Sequence, residues 1–343
     1  MLKERKKRET VGVLGAGTWG IALARMLYET GKEVTVWSAL AEEIEELKKT
    51  NKHPKLPNMK LPDEIIYTTS MEDVCKDKDV LVFAVPSIFV RSTARNARDY
   101  IRAGQIIVDV AKGIESDTLM TLTEVIADEL KDETIHLVAL SGPTHAEEVA
   151  IDLPTTIVAA CENEKIARYV QKFFTSSFMR VYTNMDVKGI EICGAFKNII
   201  ALATGVSKGL GYGDNAKAAL ITRGIAEIAR LGMKIGCPIE TFSGLTGVGD
   251  LVVTCTSEHS RNNRAGFLIG QGYSPQEAVK KVGMVVEGMN ALPAAVKLIE
   301  KYEVEMPIVT AVNEVVNQGV SPADAVDELF NRRQKTEVIS DEN

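Results

Sequence analysis

The sequence predicts a doubly wound α/β domain followed by an all-α domain. The first half alternates short apolar strands with helical stretches, and a glycine-rich turn follows its first strand. From residue 187 onward the apolar spacing is helical, with no strand alternation. The predicted limits are 1–186 for the α/β domain, 187–335 for the helical domain and 336–343 for a polar tail.

The composition indicates a soluble globular protein that works in the cytoplasm. Its 343 residues are 45% hydrophobic and 25% charged, and the net charge of -7 disfavours nucleic-acid binding. The five cysteines are scattered without CxxC pairs, and the four histidines show no metal-ligand spacing. We therefore expect reduced thiols and no metal site. The lack of an apolar run of about 18 residues predicts no membrane insertion.

The glycine-rich turn has the spacing of a dinucleotide site. The predicted strand Thr10–Leu14 leads through GAGTWG into a predicted helix, Ile21–Glu29. Gly15 permits the tight turn, Gly17 lets the backbone approach a pyrophosphate, and Gly20 lets helix and strand pack closely. We predict a Rossmann-type dinucleotide-binding domain, with the phosphates at the helix N-terminus.

The end of the second predicted strand leaves the choice between NAD and NADP open. An acid there would hold the ribose 2′-hydroxyl of NAD, and an arginine would favour the 2′-phosphate of NADP. After Val34–Trp37 this chain has Ser-Ala-Leu, which provides neither. Glu42 and Glu43 come later and are interpreted as the solvated face of the next helix.

Polar loops follow several of the remaining strands, where a parallel sheet binds its ligands. The predicted strands are Val80–Val85, Ile106–Val110, His136–Leu140, Thr155–Ala160 and Met179–Tyr182, and the last two are expected to extend the sheet. Lys112 follows the second of these strands, so we interpret it as a ligand contact. His145 follows the third, but a lone histidine without an acidic partner is more typical of a structural role.

A lysine interrupts the most apolar helix of the chain. The helix is predicted over Val187–Val206, and from Ile190 onward its only charged residues are Glu191 and Lys197. A lysine in such a helix either extends to the surface or is desolvated, and desolvation would lower its pKa into the range of an acid or base. We expect this helix to join the two domains, with Lys197 facing the cleft between them.

Two polar segments interrupt the predicted helices of the second half. Those helices are Ala216–Leu231, Ser260–Gln271, Pro275–Lys281, Asn290–Lys301, Ile308–Gln318 and Pro322–Arg332. One segment is a glycine-rich loop that presents Asp250, and the other is Thr254–Arg264 at a helix start. The second segment suits either a phosphate site or an ordinary N-capped helix. Glu287 lies in an apolar turn, either as a satisfied buried carboxylate or as a cofactor contact.

Taken in order, these motifs resemble the NAD(P)-dependent glycerol-3-phosphate dehydrogenase family. The resemblance implies reduction of dihydroxyacetone phosphate to sn-glycerol 3-phosphate with NAD or NADP as cofactor, in a cytosolic homodimer that supplies phospholipid synthesis. The matching segments are GAGTWG (15–20), AKGIE (111–115), SGPTHAEEVA (141–150), CGAFKNIIALATG (193–205), GVGDL (247–251), SRNNR (260–264) and VVEG (285–288).

The resemblance also implies a role for individual residues. Lys197 would be the proton donor and acceptor, with Lys112 and Asp250 beside it. Other positions would hold the substrate: Gly142, Thr144, Thr254, Ser260, Arg261 and Asn262, together with Lys112, Lys197 and Asp250. A further set would contact the cofactor: Thr18, Trp19, Ala146, Val285 and Glu287, together with the turn glycines, Lys112 and Arg261. Many bacterial members have an arginine where this chain has Ala39 or Leu40, so a strong preference for NADPH is not implied.

Three other functions fit parts of the pattern. A dehydrogenase of 3-hydroxy acids would use Arg261 for a carboxylate, although Asp250 and the polar cluster at 260–262 favour a phosphate. A dinucleotide sensor without chemistry would not need Lys112, Lys197 and Asp250. A methyltransferase also has a glycine-rich first turn, but the all-helical second half disfavours it.

Overall fold

The computed structural model describes residues 8–334 and contains one eight-stranded sheet in its first half. The predicted tail, 336–343, lies outside the described residues. The strands are β1 (Thr10–Leu14), β2 (Glu33–Trp37), β3 (Ile66–Thr68), β4 (Val80–Phe83), β5 (Ile106–Asp109), β6 (His136–Ser141), β7 (Thr155–Ala160) and β8 (Met179–Asn184).

The strand order is β3-β2-β1-β4-β5-β6-β7-β8. Strands β1 to β6 pair in parallel, β7 pairs antiparallel to β6, and β8 pairs in parallel with β7. The prediction that β7 and β8 extend the sheet is confirmed. The sequence did not predict β3, because it has three residues and its Ile66 is exposed. The order of the first six strands is that of a dinucleotide-binding sheet.

Helices connect these strands in the first half of the chain. They are α1 (Thr18–Glu29), α2 (Ala41–Thr50), α3 (Met71–Cys75), α4 (Val90–Ala97), α5 (Leu122–Leu130), α6 (Ala146–Val149) and α7 (Glu164–Phe174), with 3₁₀ turns at Ser87–Phe89 and Arg98–Tyr100. Helix α1 begins three residues earlier than predicted, because the end of the glycine-rich motif already forms its first turn.

The second half is helical, as predicted. Its helices are α8 (Val187–Gly209), α9 (Asp214–Ile235), α10 (Ile239–Phe242), α11 (Asp250–Thr256), α12 (Arg261–Gly270), α13 (Pro275–Val282), α14 (Glu287–Tyr302), α15 (Pro307–Asn313) and α16 (Pro322–Asn331), with π-helical turns at Leu245–Gly249 and Glu314–Gln318. The polar segment predicted to begin at Thr254 starts inside α11, because that helix extends past its apolar residues.

Helix α8 is the core of the second half. It is long and apolar enough to cross a bilayer by composition, but its most apolar 18-residue window is 100% buried inside the protein. Its buried Glu191 accepts a hydrogen bond of 2.9 Å from the backbone N–H of Thr123, in the first turn of α5. This contact ties α8 to the α/β half through a helix N-terminus.

Glycines bring α12 into backbone contact with α8. A Cβ at Gly266 would lie 2.1 Å from the Leu202 carbonyl oxygen, and one at Gly205 would lie 2.1 Å from the Asn263 carbonyl oxygen. These distances leave no room for any other residue at either position. The beginning of α12 is therefore held in one position relative to the middle of α8.

We predict that Gly266→Ala destabilises the protein by about 1–3 kcal/mol or more, because the added methyl group forces α8 and α12 apart. Thermal unfolding followed by circular dichroism measures the change. Gly213→Ala is the matched control, since a Cβ there has nothing within 4 Å. Equal melting temperatures for the two variants would contradict the close packing of α8 and α12.

Candidate active site

The glycine-rich turn has the shape that a dinucleotide needs. Gly15 has φ +124, and a Cβ there would lie 2.6 Å from the Ala84 carbonyl oxygen. A Cβ at Gly20 would lie 2.1 Å from the Gly15 carbonyl oxygen, whereas a Cβ at Gly17 would meet nothing within 4 Å. Gly17 is also the N-cap of α1, and within residues 8–334 no side-chain cap occupies the start of that helix. Open space over free N–H groups fits a pyrophosphate.

A second polar centre lies where the two halves of the chain meet. Asp250 accepts a hydrogen bond from each of two lysines: from Lys197 Nζ to Oδ1 at 2.6 Å, and from Lys112 Nζ to Oδ2 at 2.6 Å. Thr254 Oγ1 accepts a further bond from Lys197 Nζ at 2.7 Å. Lys197 is 6% exposed and Asp250 is 1% exposed. Lys197 therefore lies where α8 meets Lys112 of the sheet half, and two cations share one buried carboxylate. That Lys197 faces a cleft stays a prediction.

This arrangement changes the protonation of both groups. The pKa of Lys197 is lowered to about 7, chiefly by burial; Asp250 opposes this shift, and the charge of Lys112 adds to it. Burial alone would raise the pKa of Asp250, but the two lysines outweigh it and hold the carboxyl pKa below its usual range. Lys197 can therefore both donate and accept a proton near neutral pH.

Four structural elements position these groups. Lys112 follows β5, and its Nζ also donates to the Gly142 carbonyl oxygen at 3.1 Å, just after β6. Lys197 projects from the middle of α8. Asp250 is the first residue of α11, directly after a π-helical turn, and Thr254 lies one turn later. Local π-helical geometry is common at functional sites.

The start of α12 lies against α8 through a chain of amides. Asn262 Nδ2 donates to Asn198 Oδ1 at 2.8 Å, and Asn262 Oδ1 accepts from the Gly288 backbone N–H at 2.8 Å. Asn198 Nδ2 in turn donates to the Gly194 carbonyl oxygen at 3.1 Å. Asn198 follows Lys197 in α8, so this chain fixes α12 and the start of α14 relative to that lysine.

The remaining predicted substrate residues differ in what they contact. Ser260 is the N-cap of α12, and its Oγ accepts from the Asn263 N–H at 3.2 Å. Thr144 Oγ1 donates to the Gly142 carbonyl oxygen at 3.1 Å. Arg261, the first residue of α12, has no ion-pair partner within residues 8–334. A half-buried guanidinium without an acid beside it is suited to an anionic ligand.

Glu287 joins the helical half to the ligand edge of the sheet. Its carboxylate accepts from the Ser87 N–H at 3.1 Å and from Ser87 Oγ at 2.5 Å, just past the end of β4. Val285 is half-buried two residues earlier, and Ala146 is buried at the start of α6. Glu287 is therefore a partnered carboxylate at the nucleotide edge, which fits both interpretations that the sequence left open.

His145 also lies beside the lysine centre. Burial lowers its pKa, and the charge of Lys197 lowers it further. Its Nε2 is buried without a hydrogen-bond partner within the described residues. The sequence favoured a structural role because no acid was in view. The signal that sequence reasoning lacked is proximity, since Asp250 is more than 100 positions away along the chain.

One interpretation of the sequence is wrong. Glu42 is exposed as predicted, but Glu43 is half-buried and accepts a hydrogen bond from Ser38 Oγ at 2.6 Å. The helical period places Glu42 on the outer side of α2 but places Glu43 one turn before the buried Leu47, beside the end of β2, where Ser38 holds its carboxylate.

The nucleotide turn, the sheet order and the buried lysine–aspartate centre define a two-part dehydrogenase that binds a dinucleotide. Residues 10–167 match the N-terminal model of NAD-dependent glycerol-3-phosphate dehydrogenase, and residues 186–327 match the C-terminal model. The chain belongs to this NAD-dependent glycerol-3-phosphate dehydrogenase family.

Individual relatives agree over nearly the full length. The chain is 61% identical over 332 residues to glycerol-3-phosphate dehydrogenase [NAD(P)+] 2 of Lactobacillus delbrueckii subsp. bulgaricus, covering 96% of this chain and 98% of the relative. It is 49% identical to the Bacillus subtilis enzyme over 333 residues, covering 96% of each. The crystal structure of the Coxiella burnetii enzyme superimposes with a TM-score of 0.91 at 35% identity, covering 95% of this chain and 99% of that one.

Proposed function

We propose that the chain reduces dihydroxyacetone phosphate to sn-glycerol 3-phosphate and catalyses the reverse oxidation, with Lys197 as the proton donor and acceptor. The observation that carries the proposal is the pairing of Lys197 and Lys112 on one buried carboxylate, within a fold that presents a dinucleotide turn. When bound, the nicotinamide supplies or receives the hydride, and the protein supplies position and charge.

The substrate phosphate is held at the start of α12. Ser260, Arg261 and Asn262 surround this helix N-terminus, which lies beside α8 because of the glycine contacts and the amide chain described above. A helix N-terminus and a guanidinium together suit a dianionic phosphate. Thr144 and the Gly142 backbone contribute from the sheet side, next to Lys112.

Lys197 acts on the carbonyl oxygen of the ketone. Negative charge develops on this oxygen during reduction, and a cation held in a dry site stabilises that charge more strongly than water would. Lys197 then gives its proton to the alkoxide, and it accepts the proton in the reverse direction. Asp250 and Thr254 fix the direction of the Nζ group, and Lys112 keeps the pKa of Lys197 low enough for both directions.

The protein acts as a cytosolic homodimer that supplies glycerol 3-phosphate for phospholipid synthesis. An apolar groove of about 540 Å³ in the helical half supports an interface between two copies. Its lining residues include Leu220 of α9, Val316 and Phe330. They do not include Lys112, Lys197 or Asp250. Its apolar walls do not suit hydride transfer to a phosphorylated ketone.

We predict that Lys197→Ala lowers kcat by roughly 10²- to 10⁴-fold, because the general acid is lost, while the Kd for NADH changes little. Steady-state kinetics and fluorescence titration measure the two effects. Lys188→Ala is the matched control, a lysine of the same helix whose side chain is 45% exposed. A Lys197→Ala enzyme with normal turnover would remove the central residue from the mechanism.

We predict opposite pH profiles for the two directions. Oxidation needs neutral Lys197, so its kcat/KM rises with pH through about 7, and reduction needs the ammonium form, so its kcat/KM falls over the same range. Initial rates from pH 6.5 upward avoid the second pKa of the substrate phosphate, about 6. Lys112→Gln should move the rise and the fall of the two profiles to higher pH, because the loss of a neighbouring positive charge raises the pKa of Lys197. Flat profiles in both directions would argue against Lys197 as the titrating group.

We predict that Arg261→Ala raises the KM for dihydroxyacetone phosphate by about 10- to 100-fold, since a charge-assisted hydrogen bond contributes about 1.5–3 kcal/mol. Arg264→Ala is the control, because Arg264 lies on the same helix and is exposed. Initial-rate kinetics at saturating cofactor compare the two variants. If both leave KM unchanged, the phosphate binds elsewhere.

A further inference from the structure

We infer that Glu43, held by Ser38 at the end of β2, receives the adenosine ribose of the cofactor and selects NAD over NADP. The inference concerns the cofactor alone, so it does not depend on which substrate is reduced. The position is informative because a dinucleotide-binding sheet holds the ribose at the end of its second strand. The strand end itself supplies only Ser38, Ala39 and Leu40, none of which is charged.

The Glu43 carboxylate is fixed at this strand end by a buried hydroxyl. Ser38 is 5% exposed, and its Oγ donates to Glu43 Oε2 at 2.6 Å while accepting from the Leu40 N–H at 3.1 Å. The Ser38 hydroxyl is therefore both a donor and an acceptor, and the bond that it donates orients the Glu43 carboxylate. Within residues 8–334, Glu43 Oε1 makes no hydrogen bond and is available to accept one from a ribose hydroxyl.

A separate observation places Glu43 close to the nucleotide turn. His53 is buried and lies near the backbone of Ala16, between the first two glycines of the turn. Burial lowers the pKa of His53, and the nearby charge of Glu43 acts against that effect. Glu43 and the glycine-rich turn therefore both lie near the same imidazole. The acid that a strand end normally supplies comes here from the first turn of α2.

The charges around Glu43 disfavour a 2′-phosphate. A 2′-phosphate carries a charge of roughly -1.5 to -2 and would lie close to the fixed Glu43 carboxylate. Repulsion between like charges at short range would weaken the binding of NADP. No lysine or arginine in the described part of the chain is ion-paired with Glu43. The basic residues of α2 are Lys48 and Lys49 in its last turn, roughly 7 Å or more further along the helix axis.

Equilibrium binding of NADH and NADPH tests the inference without any substrate. Both tryptophans of the chain lie near the site, Trp19 in the glycine-rich motif and Trp37 at the end of β2, so quenching of intrinsic fluorescence reports binding. For the unmodified protein we expect NADH to bind at least about tenfold more tightly than NADPH.

Glu43→Gln removes the charge and keeps an acceptor for Ser38. We expect this variant to lower the ratio of the NADPH Kd to the NADH Kd by about tenfold, because NADPH binds more tightly and NADH binds more weakly. Glu42→Gln removes the same charge from the neighbouring exposed position, and we expect it to leave the ratio within about twofold. Circular dichroism confirms that both variants remain folded.

Two results would overturn the inference. One is an unmodified protein that binds NADPH as tightly as NADH or more tightly. The other is an equal change of the ratio in Glu42→Gln and Glu43→Gln, which would assign the effect to general charge. A protein that prefers NADH in this titration but does not turn over dihydroxyacetone phosphate would refute the proposed function and leave the cofactor selection intact.

Discussion

The site depends on one buried carboxylate that is shared by two lysines. Asp250 comes from the helical half, Lys112 from the sheet and Lys197 from the core helix, so their ion pairs hold the two halves together at the proposed site of reaction. Two ammonium groups and one carboxylate leave an excess positive charge in a dry environment. Burial and the charge of Lys112 both lower the pKa of Lys197. The excess positive charge also favours a ligand that is anionic or becomes anionic during the reaction.

The packing of the helical half serves the same centre. Glycines let α12 contact the backbone of α8, and the amides of Asn198 and Asn262 fix the register of the two helices. Since Asn198 follows Lys197 directly, the proposed phosphate site at the start of α12 and the proposed proton donor share one rigid support. A shift of α12 relative to α8 by about 1 Å would misplace the substrate carbonyl relative to Lys197. In the proposed mechanism, stability and catalysis therefore depend on the same contacts.

The features that could be predicted from the sequence are those that a short local pattern encodes. The spacing of GAGTWG predicted a nucleotide turn, and a lysine in an apolar helix predicted a functional role for Lys197, because both signals lie within a few turns of chain. The partnership of Asp250 with Lys112 spans 138 positions, and no local period reports it. Glu43 was misassigned for the same reason, since helical periodicity shows which face a residue is on but does not show that Ser38 draws its side chain inward.

The most direct test of the central claim is the pKa of Lys197 itself. Lysine labelled with ¹³C at Cε gives one NMR resonance per side chain, and the resonance missing from Lys197→Ala identifies this residue. Shared burial with Lys112 and Asp250 predicts a titration midpoint near pH 7 in the unliganded protein. A midpoint close to the ordinary lysine value of about 10.4 would show that the site does not lower this pKa, and would contradict the account of Lys197 as an acid and base at neutral pH.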